Sequence, residues 1–441
     1  MTVSISQLAP AIQTLFTSDA QQIARECGFV RRARVWTGPT FARTLVFGWM
    51  HRPDATLAEL ADSHDASAQS LQQRLTRTGA AFLSTLLAHA VQTAFDIRPA
   101  TLPLSSRFDG VYAEDCTSIP LHDSCRKAFP ACGGTADSCA AGLKVFLRLG
   151  IADGPIHELE VVPARTADVR TGRAFAELPP GSLRLADVGF FDSALLKRYS
   201  DAGVFWVSRL PCASSVRVGG GPPRPIHEFL AGRVGDSVDA MVDPGREGGH
   251  RVRVVARRCP PDVAAGRLDA RRRTARRKGK PLSERQVAAS EWTVLVTNLP
   301  AEEFTASEVE ALPPVRWQVE LLFKQCKGIF GVDEVSCRTP ESALCQLLAK
   351  LLGVVVANWA LAMRGGPLTG GNRTRAAKAI RDWVWLLKRT LERAGESSAE
   401  KLVRLVARAL RELLRTLEKI RKTERKRRST RDRLSEAESL S

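Results

Sequence analysis

The chain has 441 residues, of which 44% are hydrophobic, and 65 Lys and Arg stand against 47 Asp and Glu for a formal net charge of +18. That apolar content supports a packed core in roughly two to four structural units and excludes a disordered tail, while the basic excess favours a polyanionic partner. The same excess also follows from a base-composition bias that places Arg on solvated helix faces.

No run of about eighteen apolar residues occurs, and the N-terminus lacks the charged-then-apolar layout of a signal peptide, so a cytosolic protein is expected. Ten cysteines are present. Cys116, Cys125, Cys132 and Cys139 are separated by eight, six and six intervening residues, which is not the close pairing of structural zinc sites, and neither zinc nor a disulfide framework is expected.

Residues 1–100 read as helical, with apolar positions at helical spacing in 20–27, 41–49 and 80–95. Within them, 56–61 and 67–75 flank a short polar turn and suit a helix-turn-helix over 56–75. Ser67 would cap the second helix, and Gln69, Ser70, Gln73 and Arg74 would face a DNA groove. Two packed helices with no DNA role fit the same segment.

From residue 108 the period changes. Strands are expected at 108–116, 142–151 and 157–162, with the Gly133-Gly134 turn between the first two, then a helix over 166–178. A short strand at 182–187, a helix at 193–202 and a strand at 204–208 follow. Three adjacent strands followed by alternating helix and strand is the order of an α/β, RNase H-like mixed sheet.

Between 211 and 290 the pattern weakens to a Gly/Pro loop at 219–225, strands at 229–242 and 251–258, and the basic run 271–280. This segment reads as a β-rich insertion with a basic arm that carries Arg271, Arg272, Arg273, Arg276 and Arg277. Strand composition returns at 291–297, and 315–327 reads as an amphipathic helix. The chain then stays helical from 342, interrupted at Gly365-Gly-Pro and Thr369-Gly-Gly, with a charged tail from 423.

Cutting a phosphodiester without a covalent enzyme intermediate calls for two divalent metals held by carboxylates from different elements. Asp115, at the expected end of the strand 108–115, is the first candidate, and Asp109, Glu114 and Asp123 are neighbouring competitors. Asp187 ends the strand 182–187, where an open α/β sheet places its ligands, although such an aspartate also caps turns. Glu320 is the third, sharing one helix face with Arg316, Lys324 and Lys327 at spacings of four, four and three. Ordinary surface ion pairs account for that spacing as well.

The stretches around Asp115 and Asp187, the block 292–298 and the run 316–324 together resemble the DDE transposases of bacterial cut-and-paste insertion sequences, over roughly residues 40–365. The family's third block is Tyr, two residues, Arg, three residues, Glu, six residues, Lys; Arg316, Glu320 and Lys327 fit it, and Pro313 stands at the Tyr position. The resemblance implies Asp115, Asp187 and Glu320 as ligands of Mg²⁺, with Mn²⁺ able to substitute, and Arg316 and Lys327 as phosphate contacts, with Lys324 touching backbone phosphate. It also implies Trp292 as an aromatic that stacks on a base flipped from the transposon end.

The implied activity is cleavage at terminal inverted repeats and transfer of the 3′-OH ends to target DNA, through a hairpin intermediate and without a nucleotide cofactor. The implied assembly is a homodimer on paired double-stranded DNA ends. The organisation expected is a DNA-binding region (1–100), a catalytic core in two parts (101–210 and 291–340) around the insertion (211–290), and a dimerising helical region (341–441). The competing readings are a decayed or domesticated DNA-binding relative, favoured by Pro313, and an RNase H-like nuclease that only hydrolyses.

Overall fold

A computed structural model describes residues 3–30, 35–93, 95, 104–132, 140–151, 154, 156–171, 177–233, 235–244, 250–277, 279–363, 373–392 and 398–422. The expected turn at Gly133-Gly134, Cys139, the Gly-rich interruptions near 365 and 370, and the tail from 423 lie outside them. The chain divides into two compact units, one of residues 1–100, 115–173 and 318–429, the other of 101–114, 174–317 and 430–441.

In chain order the strands are β1 (Val111–Leu121), β2 (Ala141–Gly150), β3 (Ile156–Pro163), β4 (Leu183–Ala186), β5 (Phe205–Arg209), β6 (Ser215–Arg217), β7 (Arg224–Pro225), β8 (Ser237–Pro244), β9 (Val252–Arg258) and β10 (Trp292–Thr297). β1 gives residues 115–121 to the first unit and 111–114 to the second. The hydrogen-bonded order is β3-β2-β1-β4-β5-β10-β9-β8-β6-β7. β2 and β3 are antiparallel, β1–β4 and β4–β5 are parallel, and every pair from β5 onward is antiparallel. The segment β3-β2-β1-β4-β5 is the RNase H-like arrangement anticipated from the strand pattern. β4 is buried along its whole length, as a central parallel strand should be.

In the first unit, α1 (Ile5–Thr14), α2 (Ala20–Glu26), α3 (Gly38–His51) and α6 (Arg77–Gln92) gather near α13 (Pro340–Ala362), and α14 (Arg373–Glu392) and α15 (Ala399–Lys422) pack on each other. α13 starts cleanly because Thr339 caps it and Pro340 occupies its first turn, where no N–H is needed. By length and composition α13 could cross a bilayer, yet 89% of its most apolar window is buried inside the protein. Its Lys350 is saturated by the carbonyls of Pro53, Gly331 and Glu334 at 2.9, 2.7 and 2.8 Å, so a buried cation sits in an otherwise apolar helix without an orphaned donor.

The candidate helix-turn-helix takes the form of α4 (Leu57–Asp62) and α5 (Ala68–Gln72), two very short helices. Ser67 caps α5, accepting from Ser70 N–H, as its position predicts. Between the two, His64 lies within 2.7 Å of the Thr44 hydroxyl with its ring edge-on to Trp36. Burial, then the positive charges of Lys388 and Arg43, push its imidazole down to about 4, against a weaker opposing pull from Asp65.

Because the folded value lies below the unfolded one, near 6.5, His64 contributes stability that is complete above that pH and lost as pH falls through about 4. The urea midpoint should therefore drop between pH 7 and pH 4, and drop less in a His64→Gln variant. An equal drop in both proteins would remove His64 from the account.

The second unit corrects several boundaries. The strand expected at 229–242 begins only at Ser237, because 226–231 form α8 (Ile226–Ala231), which buries Ile226, Phe229 and Leu230 on one face. The basic run is the second half of a helix, α9 (Pro261–Arg277), followed by α10 (Glu284–Glu291). The insertion is thus not β-rich alone: β8 and β9 extend the sheet from β10, and three helices accompany them. The helix expected at 166–178 is, where described, only a 3₁₀ turn at Asp168–Arg170; residues 172–176 are outside the described set.

The block 292–298 ties β10 to β5. Thr297 Oγ1 donates to the Trp206 carbonyl at 2.6 Å, while Asn298 accepts from Trp206 N–H at 2.8 Å and donates to the Val204 carbonyl at 2.9 Å. α7 (Ser193–Asp201) begins at Asp192, whose carboxylate accepts from Leu195 N–H.

Candidate active site

β1 and β4 pair in parallel from Val111↔Leu183 to Glu114↔Ala186, where β4 stops. Asp115 and Asp187 are the next residues on these two paired strands. Each is half-buried. Since side chains alternate across a strand, both belong to the face opposite Glu114 and Ala186.

On its own face Glu114 is fully buried and accepts from Arg184 Nε at 2.8 Å, with the Arg184 guanidinium 4.9 Å from the centre of the Tyr199 ring. That pairing removes Glu114 from the list of competing acids. Of the other two, Asp109 precedes the strand and Asp123 opens a 3₁₀ turn beyond it.

Asp115 does not end its strand, contrary to expectation. β1 continues to Leu121, with Ile119 fully buried and Leu121 at 9% exposure. Pro120 reads as a strand stop in the sequence but is exposed, as a proline at a position needing no ladder donor can be. The Asp115 carboxylate accepts from the N–H of Cys116 at 2.8 Å. Burial, then the nearby Asp168 carboxylate, push the Cys116 thiol well above its ordinary range, so it stays protonated beside the acid.

Asp187 leads into a 3₁₀ turn, Val188–Phe190, through its carbonyl, which accepts from Phe190 N–H at 3.0 Å. Its side chain makes no capping hydrogen bond to that turn. The turn-capping alternative is therefore not what this carboxylate does.

Glu320 lies in the first turn of α12 (Trp317–Phe330) and is half-buried. Arg316 is not on this helix, as its spacing had suggested: it closes a 3₁₀ turn, Pro313–Arg316, whose two prolines lack the N–H donors of a regular turn. Lys327 donates to the Ser118 carbonyl at 3.1 Å, which lays α12 along the later half of β1. Glu320 and Lys327 are seven residues apart on one face of that helix, about 10 Å in rise. Lys324 is exposed.

Asp115 and Glu320 thus belong to the first unit and Asp187 to the second. Among the described residues no group of three His, Cys, Asp or Glu side chains is gathered to hold a metal ion. The three expected ligands are all carboxylates, hard oxygen donors that would suit Mg²⁺ rather than zinc. Burial also raises the neighbouring α12 thiol, Cys326, to about 12, so it offers no thiolate.

The remaining expected contacts divide. Trp292 is 6% exposed and carries the Arg258 guanidinium 4.6 Å above its ring, so it is a largely enclosed side chain rather than an open platform. It lines a cavity of about 720 Å³ together with Arg209, Arg258, Arg267, Arg271 and Arg285. The exposed aromatic near the third block is instead Trp317, 45% exposed, which the spacing argument passed over.

Arg272, Arg273, Arg276 and Arg277 are exposed and Arg271 half-buried on α9, a helix with no buried residue. Around α5, Gln69 and Gln73 are exposed. Ser70 is drawn inward, accepting from Trp36 Nε1 at 3.0 Å, and Arg74 turns toward Phe29 and its carbonyl, so these two do not present a groove-facing surface.

Residues 106–356, more than half of the chain, match the transposase DDE domain family model. The transposase for insertion sequence element IS231E of Bacillus thuringiensis subsp. finitimus is 23% identical over 431 residues, covering 89% of this chain and 88% of that protein. The transposase for element IS1151 of Clostridium perfringens is 21% identical over 389 residues, with 81% of each chain covered. The putative transposase InsL of element IS186A from Escherichia coli K12 is 32% identical, but over 100 residues only, 23% of this chain and 27% of that one. Among solved structures, a piggyBac transposase synaptic complex with hairpin DNA aligns over 97% of this chain and 85% of its own, with a TM-score of 0.45 and 10% identity.

Proposed function

Since the chain belongs to the transposase DDE domain family, we propose that it is an active DNA-cutting and strand-transferring enzyme of an insertion sequence, with Asp115, Asp187 and Glu320 as its metal ligands. The observation that carries this reading is the register of β1 and β4, which makes Asp115 and Asp187 successive to the last paired residues of adjacent parallel strands.

Divalent ions held by these carboxylates would neutralise the charge that develops on the oxygens of an in-line displacement. The chain's own groups do the rest. Asp115 and Asp187 would each supply a carboxylate from just past the paired residues of β1 and β4, and Glu320 a third from the first turn of α12. Arg316 and Lys327 offset charge that builds on the phosphate, as fixed cations do in a partly desolvated site. Lys324, exposed one turn beyond Glu320, holds DNA backbone outside the reacting phosphate.

In the first step the oxygen of a water attacks the phosphorus at the element's end and the 3′ oxygen leaves with a proton. In the last step that 3′-OH attacks a target phosphate and displaces another 3′ oxygen. A homodimer on paired ends would bring both reactions together. Pro313 at the family's Tyr position removes one contact to end phosphate and favours the second reading, a chain that binds DNA without turnover.

The test is a supercoiled plasmid that carries the element's terminal repeats, incubated with full-length protein in Mg²⁺ or in EDTA. Cleaved and joined products in Mg²⁺ alone are expected. Retained binding with no cutting in any metal would establish the second reading, and cutting without joining would mark a nuclease.

A further inference from the structure

The apolar stripe of α15 is covered inside its own unit: Leu402, Val406, Leu410, Leu413 and Leu417 are at most 2% exposed, packed on α14 and α1. That stripe is therefore already covered within the unit. On the other side Arg404, Arg408, Arg411 and Arg415 are all exposed. Their spacings of four, three and four confine them to an arc of about 60° and a ridge about 16 Å long.

Lys401 and Lys419 prolong the ridge, and Glu400, Glu412 and Glu418 lie along its margins, also exposed. Among the described residues none of the four arginines makes an ion pair with any of these acids or with another residue. Like charges at such spacings repel one another and cost the helix stability, and among the described residues the ridge has no ion-pair partner.

We propose that this ridge is a docking surface for the phosphates of duplex DNA, independent of base sequence and separate from the three acids. Guanidinium groups pair with phosphate oxygens in a fork that suits this role. A ridge of this length runs beside about five base-pair steps of one strand. A membrane surface does not fit, because an interfacial helix must offer its apolar face to lipid and that face is buried here. A second copy across a two-fold axis would bring the same positive ridge against itself.

The experiment uses the full-length chain in EDTA, so that catalysis plays no part, with a duplex of about 30 base pairs that contains no terminal repeat, titrated across a salt series. Substituting Arg404, Arg408, Arg411 and Arg415 together by Gln should weaken binding at least tenfold near 0.1 M salt. It should also lower the slope of log affinity against log salt by about 3 to 4, the equivalent of four lost phosphate contacts. The matching fourfold Lys variant should keep the parent slope. Because the four side chains are exposed and repel one another, the Gln variant should melt at or slightly above the parent.

A Gln variant whose slope stays within one unit of the parent overturns the proposal, and so does a parent that does not bind the duplex. A change in oligomeric state at unchanged slope also overturns it, in favour of self-association. Loss of plasmid cutting in Asp187 variants leaves this result untouched, so the two readings fail separately.

Discussion

A Glu114→Ala variant should lose roughly 3–5 kcal/mol of unfolding free energy, because it leaves the Arg184 guanidinium buried without its partner. Both groups are almost fully enclosed, at 0% and 1% side-chain exposure, so water cannot replace the missing carboxylate. Among the described residues Arg184 would keep its ring contacts to Tyr199 and Phe190. Urea unfolding measures the loss directly. Replacing both partners, Glu114→Leu with Arg184→Met, should recover most of it, since a well-packed apolar pair avoids the desolvation cost of two ions. A single variant within 1 kcal/mol of the parent would show that the pair does not hold the β1–β4 register.

The second large effect is on chemistry. Asp187→Asn should cut DNA about 10³-fold more slowly than the parent, on the scale seen when a fixed electrostatic group is removed from a reacting phosphate or carbonyl site. The amide keeps the shape of the side chain but loses its charge and one ligating oxygen. Asp187 is half-buried and does not cap its turn, so the variant should fold and bind duplex DNA like the parent. Cutting within tenfold of the parent would remove Asp187 from the site, and a large fall in the urea midpoint would show a structural role instead.

Much of the sheet from β2 to β5 was legible because its signals are local. The runs that became β2, β3, β4 and β5 are apolar at half or more of their positions and lie next to Gly, Pro or Asp, and each formed within two residues of its expected limits. The end of β1 was not legible: Thr117 to Pro120 reads as an exit, and only its place in the sheet keeps the strand going to Leu121. The same limit hid the pairing of Glu114 with Arg184. A charged residue within a fully buried strand is its trace in the sequence, but the partner is 70 residues away.

Errors in the insertion had a different origin. Phe229, Leu230 and the following Val residues have β-favouring composition, yet α8 takes the first of them because its apolar positions meet one face of the fold. The basic run 271–280 gives no periodic apolar signal, so its helix, which buries nothing, could not be inferred from amphipathicity. On α5, the chain spacing identified the cap at Ser67 but not the inward turn of Ser70 and Arg74, which depends on Trp36 and Phe29 from distant segments.

Whether Asp187 ligates a metal is the claim on which the proposed activity depends, and an Asp187→Cys variant tests it most directly in the plasmid-cutting assay. A thiolate is a poor ligand for Mg²⁺ and a better one for softer ions. The account predicts that the variant is inactive in Mg²⁺ and regains cutting in Mn²⁺ or Cd²⁺, while the Asp187→Asn protein regains none. Cutting by the Cys variant in Mg²⁺ at the parent's rate would contradict it.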